Sequence, residues 1–172
     1  MNIGHWLPNK PVQAVIGVGG GRDIQAGYLF GAKSVIGIEL NKTLVDLHTH
    51  HPDIRNFSNL YKFPNFELVN DEARAWFNAT NRKFDYIQMS MIDTWAATAA
   101  GAFSLSENGL YTQEGWRTFL RSLNDGGIFT VSRWYAKGDT QETARIVSLA
   151  VSSLLDLGVK EPEKHIFLAG ST

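Results

Sequence analysis

The sequence predicts an α/β protein, a doubly wound and mainly parallel sheet with helices on both faces. Three observations predict it. Short, nearly uninterrupted apolar runs rich in β-branched residues recur along the chain, as expected of strands covered on both sides. Stretches with helical spacing separate them, which is the alternation that builds a parallel sheet. A glycine triplet, Gly19-Gly20-Gly21, follows the first run directly and reads as a tight turn into a helix.

The elements follow in order. Residues 13–18 (QAVIGV) form the first strand and 23–30 the first helix. Residues 34–39 (SVIGIE) form a second buried strand, after which Asn41 caps a helix with Leu44, Val45, Leu47 and His48 on one side. Pro52 and Pro64 mark 51–65 as loop. A third strand covers 66–69 and a helix 71–79. A fourth strand, 84–89 (FDYIQM), leads into a polar, small-residue connection at 90–108 with one short helix at most. Thr112 caps the next helix, whose apolar stripe is Trp116, Phe119, Leu120 and Leu123, and the NDGG segment at 124–127 ends it. Residues 128–132 give a fifth strand, 140–157 an amphipathic helix closed by Gly158, and 165–169 a sixth strand. In that amphipathic helix, Ala144, Val147, Val151, Leu154 and Leu155 read as the core stripe.

A chain of 172 residues reads as one domain. At this size about 70% of the unfolded chain's surface leaves water on folding, so neither disulfides nor metal is needed to hold it. The absence of Cys excludes thiolate zinc sites, iron–sulfur clusters and a cysteine nucleophile, and makes a reducing cytosol the simplest home. The net charge is −1, with Lys+Arg 16 against Asp+Glu 17 and no basic run, which argues against nucleic acid as a partner. The first ten residues lack the apolar core of a signal peptide. No run approaches the roughly 18 apolar residues of a membrane span. The nearest, 146–159, is broken by Ser148, Ser152, Ser153 and Asp156, so direct membrane insertion is not expected.

Ligands of a doubly wound sheet sit beyond the carboxyl ends of its strands, which makes the residues just after each strand the candidates for function. Glycines 19 to 21 open a helix, where free backbone N–H groups and the helix dipole can meet a ligand's anionic group. Glu39, about 20 residues beyond the turn, stands where a carboxylate accepts both hydroxyls of a ribose. A dinucleotide fingerprint is excluded by spacing. Counted from Gly17 its last glycine falls on Arg22, and counted from Gly19 on Ile24. A purely structural turn remains the plain alternative. His48, His50 and His51 read as a solvated cluster at a helix end rather than a metal site, so no metal is expected.

Several segments resemble the spermidine and spermine synthase-like proteins within the class I S-adenosylmethionine-dependent methyltransferase fold, over most of the chain from Val15 to about Tyr135. VIGVGGG beginning at Val15 is similar to the family's first nucleotide motif, and VIGIE ending at Glu39 to its ribose-binding strand. VNDEAR beginning at Val69 resembles the Asp-Ala-Arg segment that holds adenine. The resemblance implies that Asp71 or Glu72 supplies the carboxylate and Ala73 the backbone amide. FDYI at Phe84 and LYTQE at Leu110 are similar to the family's fourth strand and to the start of its following helix. The run DTWAATAAGAF beginning at Asp93 resembles a bacterial subgroup in which such a domain is often joined to a membrane-spanning region. The resemblance therefore implies a Rossmann-like methyltransferase fold whose final strand pair is incomplete at Thr172. It also implies a cytoplasmic piece of a longer, membrane-attached protein. The implied co-substrate is S-adenosylmethionine or decarboxylated S-adenosylmethionine, the implied partner a small, amine-bearing acceptor, and a homodimer is compatible with the pattern.

Two departures from the family pattern bear on chemistry. Aminopropyl transferases carry an Asp directly after the fourth strand to take a proton from the attacking amine, and here that position is Ser90. An alkylamine with a pKa near that of Lys, about 10.4, must lose a proton before it attacks, and a serine hydroxyl is no base near neutral pH. The family's Gly-Gly-Gly-Asp-Gly turn also reads Gly19-Gly20-Gly21-Arg22-Asp23, with a cation in place of the anion. Asp93 is then the candidate base or amine anchor, with Ser90 hydrogen-bonding the ligand. Trp95 and Tyr111 are candidate aromatic faces for a cation, or else plain core rings. Glu107 and Glu114 read as solvent-facing carboxylates. Two function classes follow: a methyl- or aminopropyl-transferase, or a non-catalytic adenosyl-binding module attached to a membrane protein.

Overall fold

The computed structural model of the protein describes residues 11–92, 109–133 and 141–170. Among these residues five strands form one sheet, β1 (Val12–Ile16), β2 (Ser34–Glu39), β3 (Phe66–Asn70), β4 (Phe84–Ser90) and β5 (Leu123–Ser132), in the order β3-β2-β1-β4-β5. Every neighbouring pair is parallel. Among the described residues six α-helices pack around it: α1 (Arg22–Leu29), α2 (Lys42–His50), α3 (Pro52–Ser58), α4 (Ala73–Ala79), α5 (Gln113–Arg121) and α6 (Gln141–Asp156). The order reverses between β1 and β4, and that switch point places the ends of β1, β2 and β4 side by side.

The central strands read as continuous apolar runs because helices cover both faces. Ala14, Ile16, Ile36, Ile38, Ile87 and Met89 join Phe77, Trp116 and Phe119 in one cluster. Val15, Val35, Val18, Ile24 and Leu60 form the other. Alternate residues of one strand thus belong to opposite layers, as the two-residue period of a strand requires. One polar pair sits inside: Gln13 and Gln88, on β1 and β4, are buried and bonded Nε2 to Oε1 at 2.9 Å. Gln88 continues to the Ser90 hydroxyl at 2.9 Å, so each buried amide has a partner.

The structure corrects several sequence expectations. The segment 51–65 contains α3 and a 3₁₀ turn, Leu60–Lys62, rather than plain loop. Pro52 occupies the first helical position, where its missing N–H costs nothing, so it starts a helix instead of breaking one. The NDGG segment does not end a helix. α5 stops at Arg121, and β5 begins at Leu123, which is therefore a strand residue and not part of the helical stripe. Between Phe84↔Leu123 and Tyr86↔Ile128 the register slips, so the segment is a bulge inside the strand. Gly126 there has a φ of 75° and a Cβ on Gly127 would lie 2.9 Å from the Asn124 carbonyl oxygen, which is why glycines occupy it.

In α6 the face toward the core carries Ile146, Leu149 and Ala150, with Ser153 wholly buried, while Ala144 and Leu155 are exposed. Apolar residues cover so much of this helix that spacing alone does not choose the phase. The expected sixth strand is absent among the described residues. Pro162–His165 is a 3₁₀ turn, and Ile166 to Gly170 makes no ladder, with Phe167 and Leu168 largely exposed. Apolar, β-branched composition does not make a strand where the backbone has no partner. No helix among the described residues is long and apolar enough to cross a membrane.

Candidate functional site

β1 ends at Ile16, and the next five residues form a bend in which nearly every backbone donor is occupied. Gly17 N–H donates to the Ile38 carbonyl at 2.9 Å and Gly21 N–H to the Val18 carbonyl at 2.9 Å. Val18 and Gly19 N–H donate to Glu39 Oε2 at 2.9 and 3.2 Å. Glu39 Oε1 also accepts from the Asn41 N–H at 2.9 Å, ahead of α2. Glu39 is therefore buried, 7% exposed, yet satisfied by three amides. The expected free amides at Gly19 and Gly21 are engaged within the protein. Only Gly20 N–H in the bend has no acceptor among the described residues.

Glycine is required here for specific reasons. Gly17 has a φ of 77°, and a Cβ there would stand 2.5 Å from Ile92 Cγ2, so the segment after β4 folds directly over the bend. Gly21, with φ 85°, caps α1 and rests on Leu60. A Cβ on Gly19 or Gly20 would meet open space.

That space is a cleft of about 710 Å³ at the switch point. Gly19, Gly20, Glu39, Asp71, Glu72, Ala73 and Ser90 all line it, so seven of the sequence-predicted positions converge on one cavity; Gly21 stands behind it as a helix cap. Asp93, Trp95 and Glu107 lie outside the described residues. Glu114 is exposed in the first turn of α5.

Asp71 and Glu72 differ in what their carboxylates do. Glu72 caps α4, accepting from Arg74 N–H at 3.0 Å and Ala75 N–H at 2.8 Å. Asp71 is exposed and uses one oxygen, Oδ1, for the Glu72 N–H at 2.8 Å. Ala73 opens α4, so its N–H precedes the helical ladder and has no acceptor within it. Also in the lining, Arg22 is exposed and leans toward Asp23, 3.8 Å away, whose carboxylate is the more enclosed of the two. The cation noted in the sequence is thus accompanied by an anion one residue on.

One open reading is decided and another changes. Tyr111 packs against the core, its hydroxyl accepts from Arg133 at 3.0 Å, and that guanidinium lies 4.9 Å from the ring centre. Its aromatic face already carries a cation of the protein. His48 is not part of a solvated histidine cluster. It is 6% exposed, with Nε2 2.7 Å from the Gly19 carbonyl oxygen and Nδ1 3.2 Å from Ser58 Oγ, whereas His50 is open to solvent beside Asp46. Its helical spacing with Leu44, Val45 and Leu47 already places it on the inner face, and what the sequence does not show is its contact with Gly19 and Ser58.

No family model matches the sequence, and no curated protein does. Among solved structures the chain is similar to spermidine synthase in complex with the transition state analogue AdoDATO, at 16% identity and TM-score 0.63, covering 88% of this chain and 48% of that one. It is also similar to spermidine synthase from Thermotoga maritima, at 16% identity and TM-score 0.58, covering 87% and 44%. A third likeness is to ribosomal protein L11 methylase from Lactobacillus delbrueckii subsp. bulgaricus, at 16% identity and TM-score 0.53, covering 88% and 65%. The chain spans about half the length of the two spermidine synthases. The fold is the Rossmann-like α/β fold of the class I methyltransferases.

Proposed function

We propose that this chain binds S-adenosylmethionine, or its decarboxylated form, and passes a methyl or aminopropyl group to a small, amine-bearing acceptor without a metal, as a member of the spermidine synthase-like group. One observation carries the reading: an acidic side chain and a glycine bend, bonded to each other, border a cleft whose volume of about 710 Å³ suits a ligand of this size.

The residues fit an adenosyl group in complementary ways. A carboxylate offers about four acceptor positions, and Glu39 uses three, which leaves capacity for a ribose hydroxyl. Asp71 Oδ2 and the Ala73 N–H, on two residues that line the cleft, are an acceptor and a donor of the kinds an adenine edge requires, while Glu72 is committed to its helix. Gly20 N–H supplies a further donor, and Asp23 a negative charge near a cationic donor. The bound donor supplies an activated carbon next to sulfur. The protein's part is alignment and exclusion of water. Ser90 stands at the end of β4 as a hydrogen-bonding group for the ligand, and Asp93, three residues on, is proposed as base or amine anchor.

A second reading has a specific observation in its favour. Ser90 replaces the family's Asp, and its oxygen is already bonded by Gln88, so a binding module without turnover is the alternative. We further propose that the domain works in the cytoplasm, attached to a membrane region. Calorimetry with S-adenosylmethionine, its decarboxylated form and methylthioadenosine tests binding, and a polyamine turnover assay follows. Binding with turnover supports the transferase, binding alone the module, and failure of all three ligands to bind removes both.

A further inference from the structure

We infer that His48 is a positioning residue of the cleft, which sets the direction of the Gly20 N–H by holding the Gly19 carbonyl; what that N–H meets rests on the adenosyl reading above. A carbonyl oxygen only accepts, so the 2.7 Å contact requires a proton on Nε2 of His48. In the neutral ring Nδ1 is then bare and accepts from the Ser58 hydroxyl at 3.2 Å. Ser58 is in turn fixed, being buried and holding α1 through its carbonyl, which accepts from Gln25 Nε2 at 2.8 Å. The ring is therefore located from both sides and buried.

The bend turns this into control over the ligand's donor. The Gly19–Gly20 peptide is trans, so its N–H points opposite to its carbonyl. With the carbonyl turned to His48, which is not part of the cleft wall, the N–H is turned the other way, and Gly20 belongs to that wall. Glycine at both positions makes this peptide free to rotate in the absence of a clamp. The amides on either side are held by Glu39 and Val18, which leaves this one peptide to be fixed by α2.

The test compares His48→Phe, which keeps a ring but removes the donor, with His48→Gln, which returns an N–H at the Nε2 position. Affinity for S-adenosylmethionine or methylthioadenosine is measured by calorimetry, and amide hydrogen exchange of Gly19, Gly21 and the β4–β5 ladder is measured without ligand. His48→Phe is expected to weaken binding about tenfold, the scale of one lost buried hydrogen bond, and His48→Gln to restore most of it. Without ligand, exchange should quicken at Gly19 and Gly21, the bonded amides on either side of the clamped peptide, in His48→Phe while the β4–β5 ladder is unchanged. Equal loss in both variants, or exchange that rises uniformly over the sheet, overturns the inference. If the wild type binds none of the adenosyl compounds, the proposed function fails, and the exchange pattern still decides whether His48 holds the bend.

Discussion

Glu39 and Asp85 perform the same task at opposite ends of the sheet, and the contrast between them separates a scaffold from a site. Asp85 accepts from the Val12 N–H at 2.8 Å and from Asn124 Nδ2 at 2.8 Å, joining the starts of β1 and β5 around β4. Glu39 likewise joins β1 to the entry of α2 through backbone amides. The difference is what surrounds each. Asp85 is no part of the cleft wall, whereas Glu39 borders that cavity, which also collects the donors at Gly20 and Ala73. A clasping carboxylate is therefore not a sign of function, and neighbouring uncommitted groups are.

The largest expected effect tests that contrast directly. Glu39→Ala leaves three amides without their acceptor and should cost about 3 kcal/mol of stability together with adenosyl affinity, while Asp85→Ala should cost about 1 kcal/mol and leave affinity alone. Urea unfolding and calorimetry on both variants check it, and equal affinity loss would break the comparison.

The glycines sharpen it within the bend. Gly17→Ala places a Cβ 2.5 Å from Ile92 Cγ2 at a φ of 77° and should cost about 2 kcal/mol of stability. Gly20→Ala meets open space within the protein and should leave the melting temperature unchanged while weakening ligand by about 1 kcal/mol or more through crowding. A smaller contrast is expected at Asp71 and Glu72. Glu72→Ala removes a helix cap worth about 1 kcal/mol of stability, whereas Asp71→Asn should lower adenosyl affinity with little change in folding.

The smallest effect lies away from the site. Burial raises the Tyr28 phenol above its usual 10.0, against an opposing hydrogen bond from the Val35 backbone. The folded protein holds that proton more tightly than the unfolded chain, so its contribution is complete below about pH 10 and is lost as pH rises through the folded value. Unfolding free energies of wild type and Tyr28→Phe between about pH 9 and 11 should converge as pH rises.

The legible parts of the molecule were those written in neighbouring residues. An apolar run, three glycines and an acid at the next strand end announce the β1 bend and Glu39, because strand period and turn chemistry act locally. The parts that escaped depend on distant partners. His48 acquires its role from Gly19 and Ser58, reached across the fold, and spacing along its helix does not name them. That Glu72 caps α4 while Asp71 keeps an oxygen uncommitted depends on where the helix begins, which the neighbouring residues Asp71 and Glu72 do not reveal. The bulge in β5 was misread because Asn-Asp-Gly-Gly punctuates helices and strands alike.

Because one carboxylate binds the end of β1 and the entry to α2 together, the cavity's rim is preorganised. A visitor meets walls whose conformational freedom was surrendered during folding, so association consumes less entropy than it would against a slack loop. The rim is fixed in advance by the protein's own amides, and the same bonds that hold the chain together set the shape of the cavity.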